Sequence, residues 1–570
     1  MKQYFPILEW LPNYQRSWLS GDLFAGLTVG VMLIPQGMAY ALIAGLSPVY
    51  GLYASVVPQL IYALFGTSRQ LSVAPVAMDS LLVATGVSVL ATEGSEAYVT
   101  YAIMLAFLMG ATQLLLGIIR MGFITNLLAK PVISGFTSAA ALIIGLNQLK
   151  YLIGVDIEKS NQVINILINA VESIQFTHLP TLLLGVSGIV LIKALKKYAP
   201  KVPGSLMAVV MGILIVTFMG LDEKGVSIVK EVPSGLPSMI MPDLRMETIQ
   251  KLLPLALTIA VVAFMEAFSV AKAIEAKRRD YKVVPNQELI GLGAANLVGS
   301  FFQSYPVTGG FSRSAVNHQS GANTPLSSII SAVLVGLTLL FLTPLFYDLP
   351  HAILASIIMV AVSGLVDFSY VKELWQTNKI EFGLLMATFI ITLQTGMVPG
   401  IVSGIVLSIL ILLFRAANPH MAVLGKVKGF TEYRNIKRFD ALEQWDNILV
   451  MRIDAPFAFV NIQTIKERIV QEVETKSGQQ KYVVLDASSV AYVDATAIGG
   501  LKDLFQTLEE KGIKIVFAEV RGPVRDAFYK NGLIGSSQEL FFLTTDEAVN
   551  YCLSANYESR GSAISQQHNK

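Results

Sequence analysis

The chain has 570 residues, 53% of them hydrophobic and only 14% charged, with a mean hydropathy of +0.59. Soluble domains carry roughly a quarter charged residues, so this is the composition of a polytopic membrane protein. A net charge of +2 makes no case for nucleic acid. The single cysteine, Cys552, excludes an internal disulfide framework or a multi-cysteine metal site, and the five histidines form no HExxH-type pattern. No nucleophile–base pair or GxxxxGK loop suggests an enzyme, and no cofactor is implied.

Residues 1–20 are polar and aromatic and are expected to be a cytoplasmic N-terminal segment without a cleavable signal. The first apolar run, Gly21 to Ala44, is interrupted by Pro35-Gln36-Gly37. Gln36 and Tyr40 lie four apart on one helical face. They either line a polar path or serve as bonds to a neighbouring helix. A second span, Pro48 to Gly66, ends at Thr67-Ser68-Arg69. Leu71 to Leu90 follows, a short segment with Pro75 near its start. Asp79 inside it is read as a helix–helix hydrogen-bonding partner, with a place in the ion path as the alternative.

Further runs lie near 98–119, 124–148, 180–195 and 203–221, then 252–274, 287–302, 306–321, 325–346, 350–366, 382–395 and 398–414. At roughly 20 residues per full span this gives about fourteen segments, seven plus seven. With a cytoplasmic N-terminus, Lys193, Lys196, Lys197 and Lys201 fall inside, as do Lys272, Lys277, Arg278, Arg279 and Lys282. The loops 91–97, 344–350 and 396–400 fall outside and hold no lysine or arginine. Loop 222–250, also outside, does carry basic residues. The long C-terminal part then lies in the cytoplasm.

Two short segments broken by glycine or proline hold corresponding places in the halves, the third around Ser72 to Ala77 and the tenth around Gly309 to Ala315. Seven is odd, so the halves have opposite orientation, and paired broken helices in inverted repeats mark a transporter's substrate site. Gly309 and Gly310 directly precede Phe311, Ser312 and Arg313. A helix starting there leaves backbone N–H groups unpaired beside the positive dipole end, which is an anion site. A buried arginine at membrane depth strengthens that reading, against snorkelling or a structural ion pair. Glu266, mid-span with Ser269 a turn later, is either a proton carrier offsetting Arg313 or a permanent Glu–Arg lock.

After Arg415 the pattern turns soluble. Strands NILVMRID, YVVLDAS, IKIVFAEV and LFFLT alternate with helices from Asn461, from Ala495, over VRDAFYKNG and from Asp546. Residues 416–445 are expected to be a connector, 446–557 a small α/β domain and 558–570 a disordered tail.

Two stretches carry a family resemblance. Pro48-Val-Tyr-Gly-Leu-Tyr-Ala-Ser through Gly66-Thr-Ser-Arg69, and Asn286 to Ser327 (NQELIGLGAANLVGSFFQSYPVTGGFSRSAVNHQSGANTPLS), resemble the motifs of the sulfate permease (SulP) anion transporters, which include prestin and pendrin. The C-terminal part is similar to a STAS domain. The resemblance implies a mainly α-helical polytopic membrane protein, a fourteen-segment inverted repeat of 21–221 and 251–415 divided into core and gate. It also implies a homodimer and an elevator-like movement. Anion-site positions of the family fall on Gln36, Tyr40, Ala74, Val76, Phe311, Ser312 and Arg313. Glu266, with Ser269, takes the place associated with ion coupling. Sodium-coupled bicarbonate members carry Asp with Thr four residues on; Glu266 and Val270 here favour a proton over sodium. The STAS turn reads Asp494-Ala495-Thr496-Ala497 where anti-sigma-factor antagonists have a phosphorylated serine. Asp494 is therefore read as a helix cap, and the domain as a packing, dimer or partner-docking module.

The function expected is proton-coupled symport of a small inorganic anion, sulfate or bicarbonate, across the plasma (inner) membrane with both termini cytoplasmic. The alternatives are a nucleobase permease, and a STAS-based sensor with vestigial transport.

Overall fold

The structure is a computed structural model that describes residues 5–126, 129–155, 163–199, 202–475, 480–533 and 541–555. Lys201 and the tail from 558 lie outside the described residues. The chain forms two compact units, Met1–Ser408 and Ile409–Lys570.

In the first unit the helices are α1 (Leu19–Ile43), α2 (Pro48–Tyr53), α3 (Val57–Phe65), α4 (Ala77–Val87), α5 (Glu96–Ile118), α6 (Lys130–Asn147), α7 (Val163–Ser173), α8 (Leu179–Tyr198) and α9 (Gly204–Met219). The second half supplies α10 (Met246–Arg278), α11 (Pro285–Ser300), α12 (Phe311–Gln319), α13 (Leu326–Leu337), α14 (His351–Ser363), α15 (Phe368–Thr377), α16 (Lys379–Thr395) and α17 (Met397–Ala417). Two-residue strands β1 (Val73–Ala74) and β2 (Thr308–Gly309) lead into α4 and α12. Among the described residues nine helical stretches are long and apolar enough to cross a membrane. The protein is a multi-pass membrane protein built on an inverted repeat.

All fourteen expected segments are present, with three local differences. The first is continuous: Pro35 sits inside α1 and removes one hydrogen bond without ending the helix. The second is two helices, α2 and α3. Pro58 near the start of α3 cannot donate to the turn before it, and Ser55 donates to the Gly51 carbonyl at 2.6 Å while Gln59 returns to the Ser55 carbonyl at 2.6 Å. Each repeat also adds a helix between its fifth and sixth segments, α7 and α15. α7 is apolar but only 11 residues long, and α15, with 10 residues, is polar on one face, so neither counts as a full span in a hydropathy reading.

Helices α1 to α5 and α10 to α13 pack into one group. Helices α6, α8, α9, α14 and α16 form a second, which meets the first where α1 touches α9 and α14 and where α4 touches α6. Inside the first group α11 lies along α5 so closely that a Cβ at Gly110 would strike the Leu297 amide and one at Gly293 the Leu114 amide. Such approach is available only to glycine.

The centre of this group is the antiparallel pairing of β1 and β2, Val73 opposite Gly309 and Ala74 opposite Thr308. The Ser72 N–H donates to Ser314 Oγ at 2.9 Å, and Gly310 N–H to the Ser72 carbonyl at 3.1 Å. Asn296 of α11, fully buried, clips the approach to β2: its amide donates to the Val307 carbonyl and its oxygen accepts from Val307 N–H, both at 2.9 Å. Thr308 Oγ1 donates to the Ala263 carbonyl at 2.7 Å, pinning β2 onto α10.

The second unit is a six-stranded sheet in the order β4-β3-β5-β6-β7-β8. Its strands are β3 (Met421–Lys426), β4 (Tyr433–Asn435), β5 (Ile448–Ile453), β6 (Tyr482–Asp486), β7 (Lys514–Ala518) and β8 (Phe541–Phe542). It carries α18 (Ile462–Thr475), α19 (Ala495–Glu510), α20 (Gly522–Lys530) and a last helix over 545–555. β5 to β8 are parallel, and β3 and β4 add an antiparallel edge. Residues 416–445 therefore hold two strands of the sheet, the apolar β3 and the short polar edge strand β4. Asp494 caps α19 as expected: Oδ1 accepts from Ala497 N–H at 2.8 Å, and Oδ2 from Phe459 N–H at 2.7 Å.

Two expectations follow. Asn296→Ala leaves the buried Val307 amide and carbonyl without partners, about 1–3 kcal/mol for each group, and should lower the melting temperature of the purified protein by several degrees. An unchanged melting temperature would mean the strand approach does not depend on this amide. Cys552 is fully buried in the second unit, and burial pushes its thiol up to about 12. At pH 8 maleimide should label it only after denaturation, and rapid labelling of the native protein would contradict that placement.

Candidate anion site

Because β1 and β2 are antiparallel and each leads straight into a helix, α4 and α12 leave the strand pair in opposite directions with their N-termini facing. Neither start is capped by a side chain: Val76 precedes α4 and Gly310 precedes α12, both extended. The first N–H groups of a helix have no intrahelical partner. The donors around Ala77 to Asp79 and Phe311 to Arg313 thus face one small region. Each helix start contributes roughly half a positive charge.

Arg313 spans that region. It is 2% exposed, and its Nη2 donates to the Ala74 carbonyl at 3.3 Å. A Cβ on Gly310 would collide with the guanidinium, so the side chain lies back over the start of its own helix while reaching the strand that leads into the other. Its Nε has no partner. The guanidinium does not snorkel, and among the described residues it makes no ion pair.

The remaining candidate positions divide cleanly. Tyr40, buried on α1, interacts electrostatically with both Arg313 and Glu266. Gln36, one turn earlier, is buried with its Oε1 unpartnered. Ala74 is fully buried beneath the guanidinium and Val76 is half-buried. Phe311 and Ser312 are exposed and form the accessible side of the site. Glu266 is half-buried on α10, one turn from the Ala263 carbonyl that holds β2, and its Oε2 has no partner. It lies within electrostatic reach of Arg313 without an ion pair, so the permanent Glu–Arg lock is not formed here. Ser269 is exposed, one turn further along α10.

Asp79 corrects the sequence reading. It is fully buried in the first turn of α4, and neither carboxylate oxygen has a hydrogen-bond partner, so it is not a helix–helix hydrogen-bonding residue. Tyr305, which the sequence reading passed over, sits beside it: its hydroxyl lies 3.2 Å from Ser80 Oγ, within electrostatic reach of Asp79 and Arg313. The adjoining Pro306-Val307 in the broken segment was the available signal.

Two other buried acids show what a structural carboxylate looks like in this fold. Glu288 of α11 accepts from Tyr62 Oη at 2.6 Å, Thr67 N–H at 2.7 Å, Thr67 Oγ1 at 2.5 Å and Ser68 N–H at 3.1 Å. Asp22 of α1 accepts from Asn323 N–H at 2.6 Å, Thr324 N–H at 3.0 Å and Thr324 Oγ1 at 2.6 Å. Buried charge is tolerated when its lone pairs are occupied. Asp79 and Glu266 lack that compensation. Among the described residues no cluster of His, Cys, Asp and Glu is arranged to hold a metal. A cavity of about 170 Å³, lined by Leu42, Leu81, Thr85, Ile144 and Asn147, begins one turn further along α4, beside the second helix group.

The solved structure of the murine Solute Carrier 26 family member A9 anion transporter superposes on this chain with a TM-score of 0.89 at 24% identity, covering 97% of this chain and 94% of the other. The transmembrane domain of the cyanobacterium bicarbonate transporter BicA gives 0.61 at 23% identity, over 70% of this chain and 98% of its own. Sulfate transporter 4.1, chloroplastic, of Arabidopsis thaliana is 37% identical over 99% of this chain and 85% of its own length. A probable sulfate transporter of Mycobacterium tuberculosis is 35% identical over 94% and 96%. The STAS domain family matches residues 441–548, and the sulfate permease family matches residues 19–388. With half-helices, strand pair and buried arginine all inside that matched span, the chain belongs to the sulfate permease family, a family of transporters rather than enzymes, and carries a C-terminal STAS domain.

Proposed function

We propose that this protein transports sulfate together with protons. The observation that carries this reading is the convergence of two uncapped half-helix starts on the buried Arg313 guanidinium, next to the unpartnered Glu266 carboxylate. Backbone donors and a fixed cation suit a small inorganic anion with several acceptor oxygens. Gln36, Tyr40, Ala74, Val76, Phe311, Ser312 and Arg313 make up the anion site. Glu266 carries the coupling proton, with Ser269 beside it on the accessible face. Sulfate is preferred to bicarbonate because the relatives at 35–37% identity bear the name sulfate transporter. A proton is preferred to sodium because Val270, four residues on from Glu266, is apolar and buried.

In this reading the first helix group, holding the whole site, moves against the second as an elevator. Two copies form a homodimer in the plasma (inner) membrane, with both termini and the STAS domain in the cytoplasm. The STAS domain serves as a packing or docking module, supported by Asp494 being spent on capping α19. A neutral nucleobase needs no fixed positive charge, so Arg313 speaks against a nucleobase permease.

Proteoliposomes and radiolabelled sulfate test the proposal. Uptake by the parent should rise with an inward proton gradient and ignore a sodium gradient. Arg313→Ala should lose at least about tenfold in uptake, the equivalent of 1.4 kcal/mol. Glu266→Gln should retain sulfate counterflow but follow the proton gradient less steeply than the parent. Full uptake by Arg313→Ala would displace the site, and a response to the proton gradient as steep as the parent's in Glu266→Gln would remove its coupling role.

A further inference from the structure

We propose that Asp79 is a second proton-carrying group of the anion site, so that each divalent anion crosses with two protons, one on Asp79 and one on Glu266. This inference rests on the proton-coupled sulfate reading and adds to it the residue and the stoichiometry.

Its first ground is geometry. Asp79 is the third residue of α4, fully buried, with both carboxylate oxygens free of hydrogen bonds, while the structural acids Asp22 and Glu288 are saturated with donors. Every element packed around it adds to the environment. α10 presents Glu266 and the approach to β2 presents Tyr305, while Arg313 on α12 and Tyr40 on α1 lie within electrostatic reach of Glu266 and Tyr305. Helices α5 and α6 carry carboxylates or amines only at their first residues, Glu96 and Lys130. Of the α5 tyrosines, Tyr98 donates to the Ala44 carbonyl at 2.7 Å and Tyr101 is half-buried. The fixed cation faces Glu266, and Asp79, beside Glu266, has no donor or cation of its own among the described residues.

The second ground is charge balance. In the empty site Arg313 contributes +1 and the two helix starts together roughly +1. Two ionised carboxylates, Asp79 at the start of α4 and Glu266 facing Arg313, bring the sum near zero. An ionised Asp79 occupies the dipole end that an incoming anion also needs. When a divalent anion takes that place, neutrality returns only if both carboxylates take up a proton from the same side. With Glu266 alone as carrier, the loaded site would hold about one uncompensated negative charge away from water, which is costly. Both protons leave with the anion on the far side, so the parent cycle moves no net charge.

The test is steady-state accumulation of labelled sulfate in proteoliposomes with the membrane potential clamped by potassium and valinomycin. The parent should accumulate sulfate with the pH gradient and be blind to potential. Asp79→Asn should carry one proton per sulfate and thus one net negative charge. Its accumulation should shift by up to roughly fiftyfold per 100 mV, favoured by an inside-positive potential. Asp79→Glu, which keeps the carboxyl, should restore blindness to potential. If the parent ignores the pH gradient, proton coupling itself is wrong and this inference falls with it. If the parent follows the gradient but Asp79→Asn stays blind to potential, Asp79 alone is refuted. Loss of sulfate counterflow in both variants would also refute it, by making the residue a packing element.

Discussion

Two residues of β-ladder hold the membrane unit's chemistry in place. The pairing of Val73–Ala74 with Thr308–Gly309 joins chain segments more than two hundred residues apart and sets two half-helices end to end. Antiparallel strands force those helices to diverge, so their amide ends must meet. Backbone that is neither helix nor closed sheet is tolerated at membrane depth only where protein or a cavity satisfies it. Asn296, Ser314 and Thr308 provide that satisfaction here. Arg313 then lies over Gly310, where a Cβ would collide with its guanidinium, and against the Ala74 carbonyl.

Around this frame the buried acids have different states of satisfaction. Asp22 fastens α1 to the turn before α13, and Glu288 fastens α11 to the turn after α3, each with three or more hydrogen bonds. Both sit away from the half-helix starts and have no unmet demand. Asp79 and Glu266 sit at the starts and keep oxygens bare. An unpaired buried carboxyl is stable only when it can lose its charge or when a nearby positive field compensates it. The arrangement thus separates acids that lock helices together from acids that respond to what occupies the site.

Much of this was legible in the chain. Pro306, Gly309 and Gly310 before Arg313 mark a helix start, and Pro75 marks its counterpart, because these residues break helices through their own backbone chemistry. The α/β pattern of the second unit was equally local, down to Asp494 as a cap. What escaped depends on partners distant in sequence. Asp79 read as structural because its missing partners cannot be seen in a sequence, and Glu288 drew no notice because its donors lie over two hundred residues away. Helices α7 and α15 escaped because 11 and 10 residues are too few to register as spans in a hydropathy count. Strand β4 escaped because it is an edge strand made of Tyr433, Arg434 and Asn435.

The most direct measurement is anomalous diffraction at the selenium edge from crystals of the full chain grown with selenate, a sulfate analogue. An anion held by the facing helix starts gives one peak per chain between the amides of Ala77 and Phe311, within hydrogen-bonding reach of Arg313. A strong peak elsewhere in the membrane unit, with none beside the guanidinium, would contradict the site and the coupling scheme built on it.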